Sequence, residues 1–386
     1  MSELRRYRIH DGKPMDNKAP RKPCLNLHEY EAAARAALPS AIYEFIAGGS
    51  GDEVTLLASR AAFGRWQLLP RVLRGHQETS TATSVLGQDV SLPVIVAPWA
   101  AHRLCHAQGE CATARAAKAA GTIFTLATPS TTSMEEVAAE AGRWWFQLYV
   151  FRDRGYTREL VARAVAAGAS ALVVTVDMPV FGRREADERN RFALPSGMTF
   201  VHMPKSTSAS VGNSGSAVAG TVDSIFDPAL SWADLDWLAS LSPIPVVAKG
   251  VLHCDDAVQA VDHGARAVVV SNHGGRQLDS AVPALDALPR VADAVGGRVE
   301  VLVDGGVRRS TDVLKALALG ARAVMIARPL AWGLAVGGED GVYHVLDLLR
   351  TDLVLDLMLC GYESPAEVQR ALVVPAPARS YGEDAA

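Results

Sequence analysis

The chain has 386 residues, 49% hydrophobic and 21% charged, which is ample apolar material for one large α/β domain or two smaller ones. A formal net charge of −4 offers no general attraction to nucleic acid or to an anionic membrane. Five cysteines (Cys24, Cys105, Cys111, Cys254, Cys360), an odd number without a C-x-x-C pair, argue against structural disulfides and a zinc cluster. They favour a reducing, cytoplasmic setting, and no metal centre is expected.

Residues 1–26 read as a polar tail without the apolar stretch of a signal peptide. No run in the chain reaches the roughly 18 apolar residues of a membrane span. Residues 27–380 carry the folded body. Helical patterns at 30–37 and 39–47 preface it and are expected to cap the floor of the fold that follows.

From residue 93 onward an echo organises the chain. Gly264-Ala265-Arg266-Ala267-Val268 recurs as Gly320-Ala321-Arg322-Ala323-Val324, each copy preceded by an alanine-rich helical segment and continuing into an apolar strand. Looser copies stand at Gly168 and Gly121. Helix, glycine C-cap, then buried strand is the βα repeat. Strands are predicted near 93–97, 122–127, 144–149, 171–176, 245–249, 266–271, 299–303 and 322–327. Helices are predicted near 107–120, 133–141, 157–167, 231–241, 254–263, 283–295 and 310–319, with another after Pro329. Eight parallel strands alternating with helices predict a TIM (β/α)8 barrel; a doubly wound sheet is the alternative. Residues 194–229, rich in Ser, Gly, Ala and Thr, are too long for an ordinary connection. Following the fourth strand, they are expected to form a mobile lid over the catalytic mouth.

In such a barrel the chemistry sits at the C-terminal strand ends. Nearly every predicted strand delivers a polar or charged group there: Pro98-Trp99-Ala100, Thr128, Gln147 with Tyr149, Thr175 with Asp177, Lys249, Ser271 with His273 and Arg276, Asp304-Gly305-Gly306, and Ala327-Arg328. His273 and Arg276, separated by Gly274 and Gly275, place a base beside an anion clamp with no side chain between them. Asp177 can orient the imidazole of His273 and stabilise its cation. Arg184 is a second carboxylate clamp or an exposed arginine. Tyr149 either hydrogen-bonds a substrate hydroxyl or fills the pocket mouth. Lys249 serves as a Schiff-base amine, as a cation for a bound anion, or as a solvated rim residue. Asp304-Gly305-Gly306-Val307-Arg308 and Ala327-Arg328 each open a helix, offering free N–H groups and guanidiniums to a phosphate of substrate or cofactor.

Gln147-Leu148-Tyr149, Thr175-Val176-Asp177, Gly182-Arg183-Arg184-Glu185, Lys249-Gly250, the run Ser271 to Asp279 and Asp304 to Arg308 together resemble the FMN-dependent α-hydroxy acid oxidase/dehydrogenase family. That family includes glycolate, lactate and mandelate-oxidising enzymes, and the resemblance runs from about Leu27 to Glu363. It implies FMN with its phosphate on Asp304, Gly305, Gly306, Val307, Arg308, Ala327 and Arg328. Pro98, Trp99, Ala100, Thr128, Gln147, Thr175 and Ser271 would line the flavin ring, with Lys249 at its N1–C2 edge. The implied substrate is a small-molecule L-2-hydroxy acid held by Arg276 and Arg184, with His273 as base, Asp177 as its partner and Tyr149 on the substrate oxygen. Hydride transfer and carbanion formation both remain open. The resemblance further implies dioxygen as electron acceptor, with a quinone or protein acceptor, oxidative decarboxylation and a non-redox FMN isomerase as alternatives. It also implies a homo-oligomer, a tetramer or octamer.

The chain departs from the commoner members of that family. Phe45 stands where a tyrosine usually touches the substrate carboxylate, and Trp99 and Pro129 also differ. These changes point to a larger, aromatic hydroxy acid. Ala327 and Ser310 replace glycines near the phosphate loops.

Overall fold

The computed structural model describes residues 24–75, 78–204 and 225–377. Eight parallel strands close into a barrel in sequential order. They are β1 (Val94–Val96), β2 (Phe124–Ala127), β3 (Trp144–Leu148), β4 (Leu172–Thr175), β5 (Val246–Val251), β6 (Ala267–Val270), β7 (Glu300–Asp304) and β8 (Ala323–Ile326). Closure is made where Val324, Met325 and Ile326 of β8 pair with Val94, Ile95 and Val96 of β1. Each strand lies within the stretch expected for it or overruns it by one or two residues, as the repeat required.

These strands are apolar throughout because both faces are covered. Ile95, Trp145, Val173, Val247, Val269, Leu302 and Met325 pack together inside the barrel. Their alternates, such as Val96, Phe146, Val174, Ala248, Val268 and Val303, pack outward against the helices. Trp145, fully buried, fills the interior that smaller strand residues leave. The helices begin at caps legible in the sequence: Ser133 and Glu136 form a capping box, and the Asp153 side chain accepts from Tyr156 N.

The barrel floor is closed differently from the expectation. Among the described residues three α-helices precede the barrel: α1 (Leu27–Ala37), α2 (Ser40–Ala47) and α3 (Val54–Ala61). The chain leaving α2 lies at the catalytic mouth, where the Ile46 and Gly48 carbonyls accept from Arg328 and Arg276. A hairpin, Thr83–Val85 with Gln88–Val90, plugs the floor instead. Its Val85 and Val90 join the inner core, and Leu86 N donates to Glu300 Oε2 at 2.7 Å, at the N-terminal end of β7. Positive φ at Leu86 and Gly87 gives the hairpin the tight turn whose twist matches its strands. An antiparallel pairing of Trp66–Leu68 with Val373–Pro375 ties the preface to the end of the described chain.

The ends of the 194–229 insertion lie over the mouth. Val201 N donates to Ser130 O at 3.0 Å, and Phe226 bridges to Phe151. Residues 205–224, the centre of the expected lid, lie outside the described residues, as do 1–23 of the expected tail. Among the described residues no helix is long and apolar enough to cross a membrane. All five cysteines are free.

Candidate active site

A cavity of about 1310 Å³, counted to its open mouth, sits at the C-terminal end of the barrel. Its wall contains Phe45, Pro98, Trp99, Ala100, Gln147, Tyr149, Thr175, Arg184, Lys249, His273, Arg276, Asp304, Gly305, Gly306, Val307, Arg308, Ala327 and Arg328. With Ala127 and Pro129 at the end of β2, the structure gathers residues from all eight strand ends and from α2. Asp177, Thr128 and Ser271 stand one layer behind that wall.

His273 Nδ1 lies 2.9 Å from Asp177 Oδ1. With Nδ1–H donating to the carboxylate, Nε2 is left as the nitrogen available to the cavity. His273 takes a left-handed backbone (φ 58°), a conformation uncommon outside glycine that costs of order 1 kcal/mol or more. Ser271 Oγ steadies it by accepting from His273 N at 3.0 Å. Burial pushes the imidazole below its ordinary value of 6.5, further than Asp177 restores it. Burial alone would raise Asp177, but His273 and Lys249 outweigh that and hold the carboxyl below the usual range.

Lys249 reaches its position through a break in strand register between Lys249 and Val251. Gly250 makes the break (φ 114°), and a Cβ there would stand 2.5 Å from Asp177. Lys249 Nζ then lies 3.0 Å from Asp304 Oδ2 and donates to Ser271 Oγ at 3.2 Å. Burial opposes its charge, but Asp304 and Asp177 prevail and raise its pKa above the ordinary value. A lysine that stays charged and paired is a cation for an anionic ligand edge, not a Schiff-base amine, and its burial removes the solvated-rim alternative.

Thr128 and Ser271 organise the wall from behind. Thr128 N donates to Gln147 Oε1 at 3.1 Å, and Gln147 Nε2 donates to Thr175 Oγ1 at 3.0 Å, which fixes the amide's orientation. Trp99 stacks on His102 with ring centroids 3.5 Å apart and planes 8° from parallel. Behind that stack, buried Glu110 accepts from the backbone of His102 and from Thr131 and Thr132. The sequence reading missed Glu110 because nothing local distinguishes it from an exposed helix acid.

Arg276 Nη1 donates to Gly48 O at 2.8 Å, and its guanidinium stands 5.5 Å from the centroid of the Phe45 ring. Arg184 lies over the Phe181 ring at 4.0 Å, with its nearest carboxylate, Asp187, 3.9 Å away. Burial lowers the pKa of both, and for Arg184 the neighbouring Arg276 adds to it. Two desolvated guanidiniums in one wall suit a carboxylate ligand. Phe45 is stacked face to face with Phe192 at 4.1 Å. Met178, Phe181, Phe200, Met203 and Phe226 extend the apolar wall, and Phe226 packs 4.7 Å from the Tyr149 ring. The last three lie in the polar insertion, whose composition hid them.

The phosphate loops have the shape their glycines implied. Gly306 packs so tightly on α3 that a Cβ would meet Ser59 O at 2.1 Å, whereas at Gly305 the nearest atom is 3.7 Å away. Asp304 Oδ1 and Arg308 Nε are buried without a hydrogen-bond partner among the described residues. Arg308 N donates to Asp312 Oδ2 at the start of the helix Ser310–Ala318. Arg328 spends its guanidinium on the carbonyls of Ile46, Gly48 and Gly274.

Comparison with known proteins agrees with this geometry. The family model described as FMN-dependent dehydrogenase matches residues 34–375. The chain belongs to that family. An L-lactate oxidase of Nostoc sp. is 50% identical over 346 residues, covering 87% of this chain and 94% of the relative. A 4-hydroxymandelate oxidase of Amycolatopsis orientalis is 47% identical, covering 90% and 97%. Among solved structures, a mandelate oxidase with (S)-4-hydroxymandelic acid superposes with a TM-score of 0.89 at 45% identity, covering 92% of this chain and 99% of that one.

As a member of this family the protein is a flavoenzyme and FMN is its cofactor. The site fits it. Arg308 Nε is a buried donor without a hydrogen-bond partner among the described residues, Gly305 offers a bare backbone, and the helix beginning at Ser310 offers N–H groups, as a phosphate requires; Asp304 Oδ1, an acceptor, suits a hydroxyl of the same ligand instead. Lys249 supplies a fixed cation and Gln147 an oriented amide on the cavity wall.

Proposed function

We propose that the protein oxidises an L-2-hydroxy acid with a large apolar or aromatic side chain to the 2-oxo acid, with dioxygen as acceptor and hydrogen peroxide as second product. The observation that carries this reading is the His273–Asp177 contact at 2.9 Å, in a cavity whose wall also holds Arg276 and Arg184. Both arginines would hold the substrate carboxylate, and the apolar wall from Phe45 to Phe226 would hold its side chain. His273 Nε2 would take the hydroxyl proton while Asp177 stabilises the imidazolium. Tyr149, whose hydroxyl burial keeps protonated, would donate a hydrogen bond to the substrate oxygen. In the balance the O–H and Cα–H bonds break, C=O forms, and two electrons and two protons leave, the hydroxyl proton by way of His273 Nε2; both electrons and both protons end on dioxygen as hydrogen peroxide. The chemistry supplied by bound FMN is acceptance of those electrons and their delivery to dioxygen.

The apolar wall supports a mandelate-like side chain. Ala100 at the cavity wall supports access for dioxygen, because a small residue leaves space there. An oxygen electrode coupled to a peroxide assay tests the acceptor. One peroxide per oxygen consumed supports the oxidase, whereas dye reduction without oxygen uptake indicates a dehydrogenase acceptor. Oxygen uptake with carbon dioxide release in place of peroxide indicates a monooxygenase.

We further propose a cytoplasmic homo-oligomer, a tetramer or octamer. Val72 (79% exposed), Leu73 (101%), Met358 (58%) and Leu359 (72%) are exposed on two segments that meet where Arg71 N donates to Cys360 O. An exposed apolar patch of that kind favours burial against another copy. A sedimentation mass equal to one chain would contradict the oligomer. Cytoplasmic placement is supported by the free cysteines.

A further inference from the structure

The helices before the barrel bring two charged side chains to the phosphate loop. Arg60 on α3 places Nη2 2.6 Å from Glu31 Oε1 on α1. The other oxygen of Glu31 lies 4.0 Å from Arg308 Nε. One carboxylate therefore spans two guanidiniums, one from the preface and one from the barrel. Neither residue belongs to the βα repeat.

Contacts fix this arrangement from three directions. Gly306 packs on the Ser59 carbonyl, Asn272 Nδ2 donates to Ser59 Oγ at 3.0 Å, and Lys315 Nζ donates to Phe63 O at 2.9 Å. Arg60 thus has a set position relative to Arg308. Arg308 is 7% exposed, and the Nε atoms of Arg60 and Arg308 are both buried without a hydrogen-bond partner among the described residues. Burial chiefly, and then repulsion from Arg60, lowers Arg308 to about 10. Like charges brought this close are stabilised by an anion of higher charge than one carboxylate.

We propose that Arg60 and Glu31 form an outer charge layer of the FMN phosphate site. Arg60 is a positioning residue that adds a cation behind Arg308, and Glu31 is the counter-charge that holds both arginines and opposes the incoming dianion. The proposal rests on the assignment of FMN as cofactor, and its reach is confined to the phosphate end of that ligand.

Two flavins separate this role from a merely structural one, because riboflavin lacks the phosphate. FMN is removed from the full-length protein, and rebinding of FMN and of riboflavin is followed by flavin fluorescence. Arg60→Gln is expected to weaken FMN about fivefold while riboflavin stays within about twofold. Glu31→Gln is expected to tighten FMN about threefold, again without moving riboflavin. Arg60→Lys keeps the charge and is expected to retain FMN binding within about twofold. Equal losses for both flavins in Arg60→Gln, unchanged FMN affinity in that variant, or weakened FMN in Glu31→Gln would each overturn the proposal. Unaltered apoprotein that takes up neither flavin would overturn the cofactor assignment, and this proposal with it.

Discussion

Lys249 and Asp304 form a buried ion pair, 3.0 Å apart, between strand ends that are not neighbours. Ser271, on the strand between them, also accepts from Lys249. Three adjacent strands are thereby tied by one ammonium at the cavity wall. Replacing Lys249 with Met would leave Asp304 buried without its cation, a loss of about 3–5 kcal/mol in unfolding free energy. The flavin's midpoint potential should also fall, since a cation that favours its reduced, anionic form is gone. Denaturant titration and spectroelectrochemistry read the two effects separately. An unchanged potential would remove Lys249 from the flavin's surroundings.

His273 is expected to set the acid limit of activity. Its pKa is depressed below 6.5, chiefly by burial, so the neutral base is present at pH 7 and is lost only as pH falls through that lowered value. The account predicts kcat/KM that is level through 6.5 and declines on the acid side of it. His273→Gln should abolish that limb and lower kcat about 1,000-fold, and Asp177→Asn should lower it about 100-fold. An acid limb that persists in His273→Gln would assign the base elsewhere.

The barrel was legible because its strands rest on local pattern, and the His273–Asp177 contact followed from placing both residues at strand ends of one barrel mouth. A buried parallel strand is continuously apolar, and the polar residue at its end follows directly. The floor hairpin was not legible, since strands of three residues, Thr83–Val85 and Gln88–Val90, are too short to show a period. The position of the preface was equally hidden. It is fixed by Arg276 and Arg328 donating to carbonyls more than two hundred residues away, and backbone acceptors carry no side-chain signal. Thr128 and Ser271 had the correct strand ends, but the backbone turns their hydroxyls onto Gln147, Lys249 and His273 and away from the cavity.

Arg276 is expected to act on the substrate carboxylate. Arg276→Met should lower kcat/KM about 100-fold for a free hydroxy acid, the cost of losing one partner of a desolvated charge pair. The same substitution should matter far less for a neutral amide of that acid. Equal losses for acid and amide would place Arg276 in a structural role, holding Gly48 and the preface.

Phe45 is expected to set substrate size and polarity. Its ring is stacked on Phe192 at 4.1 Å and lines the cavity without a polar group. Phe45→Tyr adds one hydroxyl near the Arg276 guanidinium and should shift the ratio of kcat/KM, glycolate over mandelate, upward about tenfold. A ratio that stays fixed would leave Phe45 as packing alone.

The most direct test is anaerobic mixing of the FMN-loaded protein with (S)-mandelate and with glycolate, followed by flavin absorbance. The account predicts rapid bleaching by (S)-mandelate, slower bleaching by glycolate, and loss of both in His273→Gln. Flavin that stays oxidised with every 2-hydroxy acid, or bleaching by glycolate alone, would contradict it.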